Sequence, residues 1–326
     1  MIRFNLLSFD PVQRRWLWLL IMYQTGVSQA QTVSTYALQE PFAARYWEVP
    51  VTLNPAASGT APRLRATALG RTQFISARNA PFYLILSGDV SFKSFGVGLV
   101  VNYLSYGSAL DTVSSGMRIS NARLAGAYHF SFPSFRISIG LEAGFVNKQF
   151  RYPGTGIINS QTRPDVGAGL WISGEHMFLG AALQHIAPMR FSEIDDSVAS
   201  RRTFVFTAGY QPEATQNARP YAMALLRSDF RYLVADLNAG ASFRFFNLGA
   251  LFRPYVFPGE PRLLTKFGAQ AAGVLYNTEQ ISFALCYTFE TFVGRRAPQL
   301  NRAAFHEIGA VFRLKAPKSV VIEKAE

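Results

Sequence analysis

The side chains best able to do chemistry in this 326-residue chain are few and scattered. Its four histidines, His129, His176, His185 and His306, have no metal-ligand spacing, and His176 and His185 do not form the i,i+4 pair of a metal-binding helix. Each reads as a structural or solvated group. The sole cysteine, Cys286, sits in an alternating apolar stretch; an intramolecular disulfide is excluded and a thiol nucleophile has no support. Pro153-Gly154-Thr155-Gly156 lacks the lysine and following helix of a phosphate-binding loop and reads as a loop tip. A serine–histidine couple such as Ser138 with His129 would be the remaining route to hydrolysis, but nothing in the sequence aligns it. No catalytic residue, cofactor or metal site is therefore expected, and binding is the chemistry left open.

Composition narrows what such a chain can be. It is 49% hydrophobic and 14% aromatic, with 16% charged residues against about 25% in soluble domains. No stretch approaches the ~20 apolar residues of a membrane-spanning helix. A formal charge of +12 needs a sink in nucleic acid, anionic lipid or an aqueous lumen, and no nucleic-acid-binding module accompanies it. Arg3, Arg14 and Arg15, the apolar run Trp16 to Tyr23 and the small residues Ser28 and Ala30 predict a secretory signal peptide over residues 1–30, cut after Ala30. Its loss leaves +10, so export does not explain the charge.

From Arg63 to Leu314 the dominant pattern has period two, broken by Gly, Pro, Asn and Asp. Phe135, Ile137, Ile139, Leu141, Ala143 and Phe145 share one side of a strand while Arg136, Ser138, Gly140, Glu142 and Gly144 fill the other. Phe95, Val97, Leu99, Val101 and Tyr103 oppose Gly96, Gly98 and Asn102 in the same way. Further candidates include 164–173, 176–186, 203–211, 219–227, 230–238, 241–253, 263–275, 279–290 and 303–314. About fourteen strands of about ten residues match the length that crosses a bilayer at a tilt. Small residues and guanidinium groups on the second face suit a confined interior, where Asp89 and Glu142 could meet Arg123 and Arg136. The expected fold is all-β, a transmembrane outer-membrane barrel of antiparallel strands. Tyr103, Tyr106, Tyr128, Phe130, Phe132, Phe150, Tyr152, Phe252, Tyr255 and Phe257 would form its interfacial girdles.

Asn54-Pro55-Ala56-Ala57-Ser58-Gly59, before the first long strand, resembles the start of the PorP/SprF family of type IX secretion system membrane proteins. Arg71-x-Gln73-Phe74 at a strand end, Asn79-Ala80-Pro81 opening the next strand, Asp89 within it and His306-Glu307 near the end continue the likeness. Departures are a Phe at 74, where the family often has Trp, and a longer lead-in before Asn54. By itself, Asn54-Pro55 dictates an extended or turn geometry, and the small residues after it can pack against or inside a barrel wall.

The resulting division is a signal peptide over 1–30, a periplasmic or lumenal lead-in over 31–62, a barrel over 63–314 and a polar tail over 315–326. The resemblance implies a non-catalytic outer-membrane component whose partners are secretion-ring or peptidoglycan-linked proteins, or a secreted adhesin-like protein held through its C-terminal sorting domain. A passive porin whose lumen arginines select anions is the alternative. Loops 153–163, 190–202, 212–218 and 293–302 are expected outside the cell; Arg201-Arg202 and Arg295-Arg296 there could meet lipopolysaccharide or an acidic partner.

Overall fold

The computed structural model describes residues 43–61, 63–73, 81–107, 116–151, 158–187, 202–212, 218–229, 233–256, 264–278, 280–293 and 304–315. The expected signal peptide, Phe74, Asn79, Ala80, Arg201, Arg295, Arg296, the tail beyond Lys315 and the Gln73 side chain lie outside the described residues.

Alternation becomes fourteen antiparallel strands closed into one barrel. These are β1 (Leu64–Gln73), β2 (Phe82–Phe92), β3 (Phe95–Gly107), β4 (Gly116–Ser131), β5 (Phe135–Arg151), β6 (Ile158–Gly174), β7 (Met177–Gln184), β8 (Thr203–Tyr210), β9 (Arg219–Ser228), β10 (Leu233–Ser242), β11 (Phe246–Val256), β12 (Leu264–Asn277), β13 (Ile281–Val293) and β14 (Ala304–Leu314). Each strand pairs with its chain neighbours, and β1 closes the ring on β14 from Leu64↔Leu314 to Gln73↔Phe305. Closure satisfies the backbone groups that an open sheet would leave bare in hydrocarbon. Strand lengths run from 8 residues in β7 to 17 in β5 and β6, a wider spread than the uniform ten that alternation suggests.

The two faces separate as a membrane barrel requires. Leu124, Leu141 and Ile308 point outward and are 60%, 67% and 64% exposed, an apolar display that only lipid would cover. Arg123, Glu142 and Glu307, each one residue away, are buried inward. Phe95, Tyr128 and Phe130 pack edge to face, and Phe132 stacks on Phe135, around the short-turn end. Tyr255 does not join a girdle. It faces inward and is buried beneath Lys266, because it sits on the same side of β11 as Leu251 and Arg253.

Two expectations from spacing are corrected. The segment 241–253 is not one strand: β10 ends at Ser242 and β11 begins at Phe246. The hairpin Phe243-Arg244-Phe245 contains no Gly, Pro, Asn or Asp to mark it, and is held instead by Phe243 N–H donating to the Phe246 carbonyl and by stacking of the two rings. Alternation of strand direction also places the connection 211–218 at the short-turn end, with the 93–94 and 175–176 turns, opposite the connections 152–157, 185–202 and 294–303. Residues 158–163 of the first expected loop are strand.

Residues 43–61 run through the lumen as three one-turn 3-10 helices, Tyr46–Glu48, Pro50–Thr52 and Pro55–Ala57. Proline opens the second and third, where its fixed φ fits a first turn and its missing N–H costs nothing. Ala44, Val49, Val51, Ala56, Ala57 and Ser58 are completely buried.

Candidate functional site: the filled lumen

The lumen segment is gripped at its backbone by charged, amide and hydroxyl side chains from β1, β2, β4, β7 and β14. At one end, Glu307 on β14 accepts from the N–H groups of Ala44 (2.8 Å) and Arg45 (3.4 Å). Arg45 bonds Glu48 at 3.2 Å, and Arg313 of β14 reaches the second Glu48 oxygen. Thr67 on β1 donates to the Glu48 carbonyl at 3.1 Å. In the middle, the Thr52 carbonyl accepts from Arg123 (3.1 Å) and Gln184 (2.8 Å). At the other end, Gly59 N–H donates to Asp89 at 3.0 Å, and Asp89 also holds Arg65 at 2.8 Å. Gly59 has φ of +71°, the left-handed region a side chain disfavours.

Asn54 carries the sharpest geometry. Its side-chain oxygen caps the last turn by accepting from Ala56 N–H at 2.9 Å. Its amide nitrogen donates to the carbonyls of Leu170 (2.9 Å) and Ala181 (3.2 Å), which are register partners across the β6–β7 seam. One side chain thus folds the plug and fastens it to the wall. The wall answers with missing side chains: a Cβ at Gly169 would strike Asn54, one at Gly140 would strike Ala56, and one at Gly96 would strike the Ser58 carbonyl. Trp171 covers Ala56 and Ala57 and stacks on Phe178 at 4.7 Å.

Around this seat the inner wall neutralises itself. Arg71 makes a bidentate pair with Glu290 at 2.6 and 2.9 Å, and Arg253 joins Glu290 at 3.1 Å and also pairs with Asp236. Lys266 is buried 3.8 Å from the centre of the Phe305 ring and faces Phe292 and Tyr255 as well, an aromatic cage around its amino group. Burial alone would raise the Glu48 carboxyl, but Arg313 and Arg45 outweigh it and hold it below the usual carboxylate range. Burial first, and then Asp236, push the Tyr46 phenol well above its usual value, so it stays a neutral hydroxyl.

The residues singled out from sequence now have places. Asn54, Pro55, Ala56, Gly59, Asp89 and Glu307 all belong to the plug or its grip. Arg71 reaches Glu307 at 3.6 Å and so stands behind that grip. Pro81 is buried immediately before β2. His306 is the exception, facing outward to bond the Tyr287 hydroxyl at 2.7 Å. Arg123 meets Glu142 at 2.7 Å as the charges suggested, but Asp89 takes Arg65, its cross-strand register partner, rather than Arg123 or Arg136. Arg136 is half-buried at the short-turn end, in register with Ser131 and Ser173. Ser138 and His129 do come together, Oγ to Nδ1 at 2.7 Å. Ser138 is fully buried and Gly59 packs beside His129, so the pair presents no surface to a substrate. Sequence reading missed Gln184, Glu48 and the Glu290–Arg253–Asp236 chain; an inward polar lane was the one available signal for the strand residues, and Glu48, in a lumen turn, lay outside any such lane.

The family model described as type IX secretion system membrane protein PorP/SprF matches residues 35–312. Among solved structures, the CymD monoaromatic hydrocarbon channel is 9% identical with a TM-score of 0.52, covering 83% of this chain and 92% of its own. The Pseudomonas putida toluene transporter TodX is 10% identical with a TM-score of 0.45, covering 84% and 93%. The Acinetobacter baumannii outer membrane protein Omp33 is 9% identical with a TM-score of 0.46, covering 78% and 99%. At such identities the CymD likeness shows the barrel fold alone. Comparison with curated protein sequences returns no match.

Proposed function

The chain belongs to the PorP/SprF family of type IX secretion system membrane proteins, and from that premise we propose that it is a non-catalytic outer-membrane barrel that holds partner proteins on its outer surfaces. The partners are a secreted surface protein retained through its C-terminal sorting domain, or ring and peptidoglycan-linked components of the secretion machinery. One observation carries this reading: the lumen is occupied by the chain's own residues 43–61, fastened by Asn54, Arg123, Gln184, Asp89 and Glu307. A barrel so filled offers its rims and wall rather than its interior. The short-turn end faces the periplasm and the long connections face outward, following the usual barrel polarity, and basic rim residues meet lipopolysaccharide.

Conductance in planar bilayers separates this from a porin. Silent barrels are the expected result; large, steady, anion-biased openings would overturn it in favour of a solute channel. Affinity purification in mild detergent is expected to recover ring proteins or a surface protein with a C-terminal sorting domain. Recovery of neither, together with normal secretion and surface display after deletion, rejects the assignment.

A further inference from the structure

β6 pairs with β5 along its whole length, from Arg151↔Ile158 to Phe135↔Gly174. With β7 it pairs only from Ala168↔Leu183 to Ser173↔Phe178. The chain leaves the seam at His185, which takes a positive φ of 54° while its ring bonds Asp165 at 2.9 Å. Ile186 N–H then donates to the Val166 carbonyl at 3.0 Å, the final backbone contact of that seam among the described residues. Since the Val166 carbonyl faces the β7 side, the two-residue alternation of an antiparallel strand aims the N–H and C=O of Ser160 and Thr162 the same way, with the C=O of Pro164. Pro164 fits that lane because its missing N–H would point off the sheet, the position in which strands tolerate proline. Ser160, Thr162, Arg163 and Pro164 are exposed.

This edge stands outside the hydrocarbon. Outward residues of β6 change from Leu170 and Val166 to Thr162 and Ser160, and Asn147 on β5 donates to both hydroxyls at 2.8 and 3.1 Å. Among the described residues of this rim, Arg118, Lys148 and Arg163 lie on β4 to β6, and the carboxylate there, Asp165, is engaged by His185. Among the described residues no strand pairs with this edge, and an unpaired strand edge in water is a template for another strand.

We propose that the β6 edge from Ser160 to Pro164 is a strand-addition site for an extended segment of a secreted polypeptide that carries a carboxylate to set beside Arg163. This rests on the retention reading above and names the contact by which retention occurs. Up to five main-chain hydrogen bonds supply the affinity, and Arg163 selects the acidic register.

Hydrogen exchange on the full-length protein in lipid nanodiscs tests the first part. The Ser160 and Thr162 amides exchange fast in the free protein, while those of Gln161 and Arg163, aimed at β5, are protected. Slow exchange at Ser160 and Thr162 would mean that residues 188–201 already cover the edge, and would overturn the proposal. The surface protein recovered in mild detergent is the probe for the second part. Thr162→Pro removes one edge donor and no main-chain bond to β5, while both it and Thr162→Val lose the hydroxyl that accepts from Asn147; the proline variant is expected to weaken binding at least about tenfold, with Thr162→Val within about twofold of wild type. Equal binding by both variants overturns the edge assignment and leaves retention standing. Recovery of no surface protein overturns both.

Discussion

Asn54→Ala tests whether the plug is a folded part of the barrel. The side chain is 1% exposed and makes three hydrogen bonds: one from Ala56 N–H and two to the Leu170 and Ala181 carbonyls. At about 1 kcal/mol net for each bond, with the Ala56 N–H left buried, the plug should lose about 2–4 kcal/mol. The wall carbonyls also serve the β6–β7 ladder, so the barrel should survive and the cost fall on local opening of residues 51–60. Hydrogen exchange through such opening scales with its equilibrium constant, and the Ala57 and Ser58 amides should therefore exchange about 30- to 1,000-fold faster while β-strand amides stay unchanged. Asn54→Asp keeps the cap acceptor, loses both wall donors and turns a negative charge on two carbonyls, so it should do at least as much damage. Acceleration below about threefold in both variants would refute the idea that this side chain fastens the plug.

Gly140→Val drives a branched side chain into Ala56 and should expel the turn Pro55–Ala57. A plug-free fraction should then appear as conductance in planar bilayers where the wild type is silent. Cys286 is buried in one apolar cluster with Ala43, Val49 and Leu69, so maleimide should label it slowly in the native barrel and much faster in Gly140→Val; equal rates would place the thiol outside the plug's cover. Arg123→Ala strands Glu142 and releases the Thr52 carbonyl, a loss of about 3–5 kcal/mol in reversible urea unfolding from vesicles, which the double change with Glu142→Gln should partly recover. The Glu48 carboxyl is held below its usual value of 4.5, so its contribution is complete above that pH and is lost as pH falls through the lower folded value. Plug protection should be flat from pH 7 to 5 and decline below 4.5, and Glu48→Gln should remove that share of the decline.

The barrel was legible because its physics is local. Each strand writes its two environments on alternate residues, and Phe135 to Phe145 shows both lanes without a break. The hairpin at 243–245 escaped because aromatic stacking, rather than a turn-forming residue, holds it. The plug was half legible: Asn54-Pro55 announces a capped turn and Ala56 to Gly59 announces tight packing. The wall groups those residues bond lie 30 to 127 positions away, and spacing carries no such information. Asp89 shows the limit most clearly, since the choice between Arg65 and Arg123 is made by cross-strand register, which periodicity leaves undetermined.

The grip of β14 on the plug has a consequence for assembly. Glu307 and Arg313, on the strand that closes the ring, bind Ala44, Arg45 and Glu48, which precede the strand they close against. Thr67 on β1 holds the Glu48 carbonyl while Arg313 on β14 holds its carboxylate, so the two come together on one residue only where the first and last strands pair. An open sheet offers the start of the plug half of this seat. The anchorage of Ala44 to Glu48 is therefore a property of the closed ring, and it reports closure in a way that no single strand can.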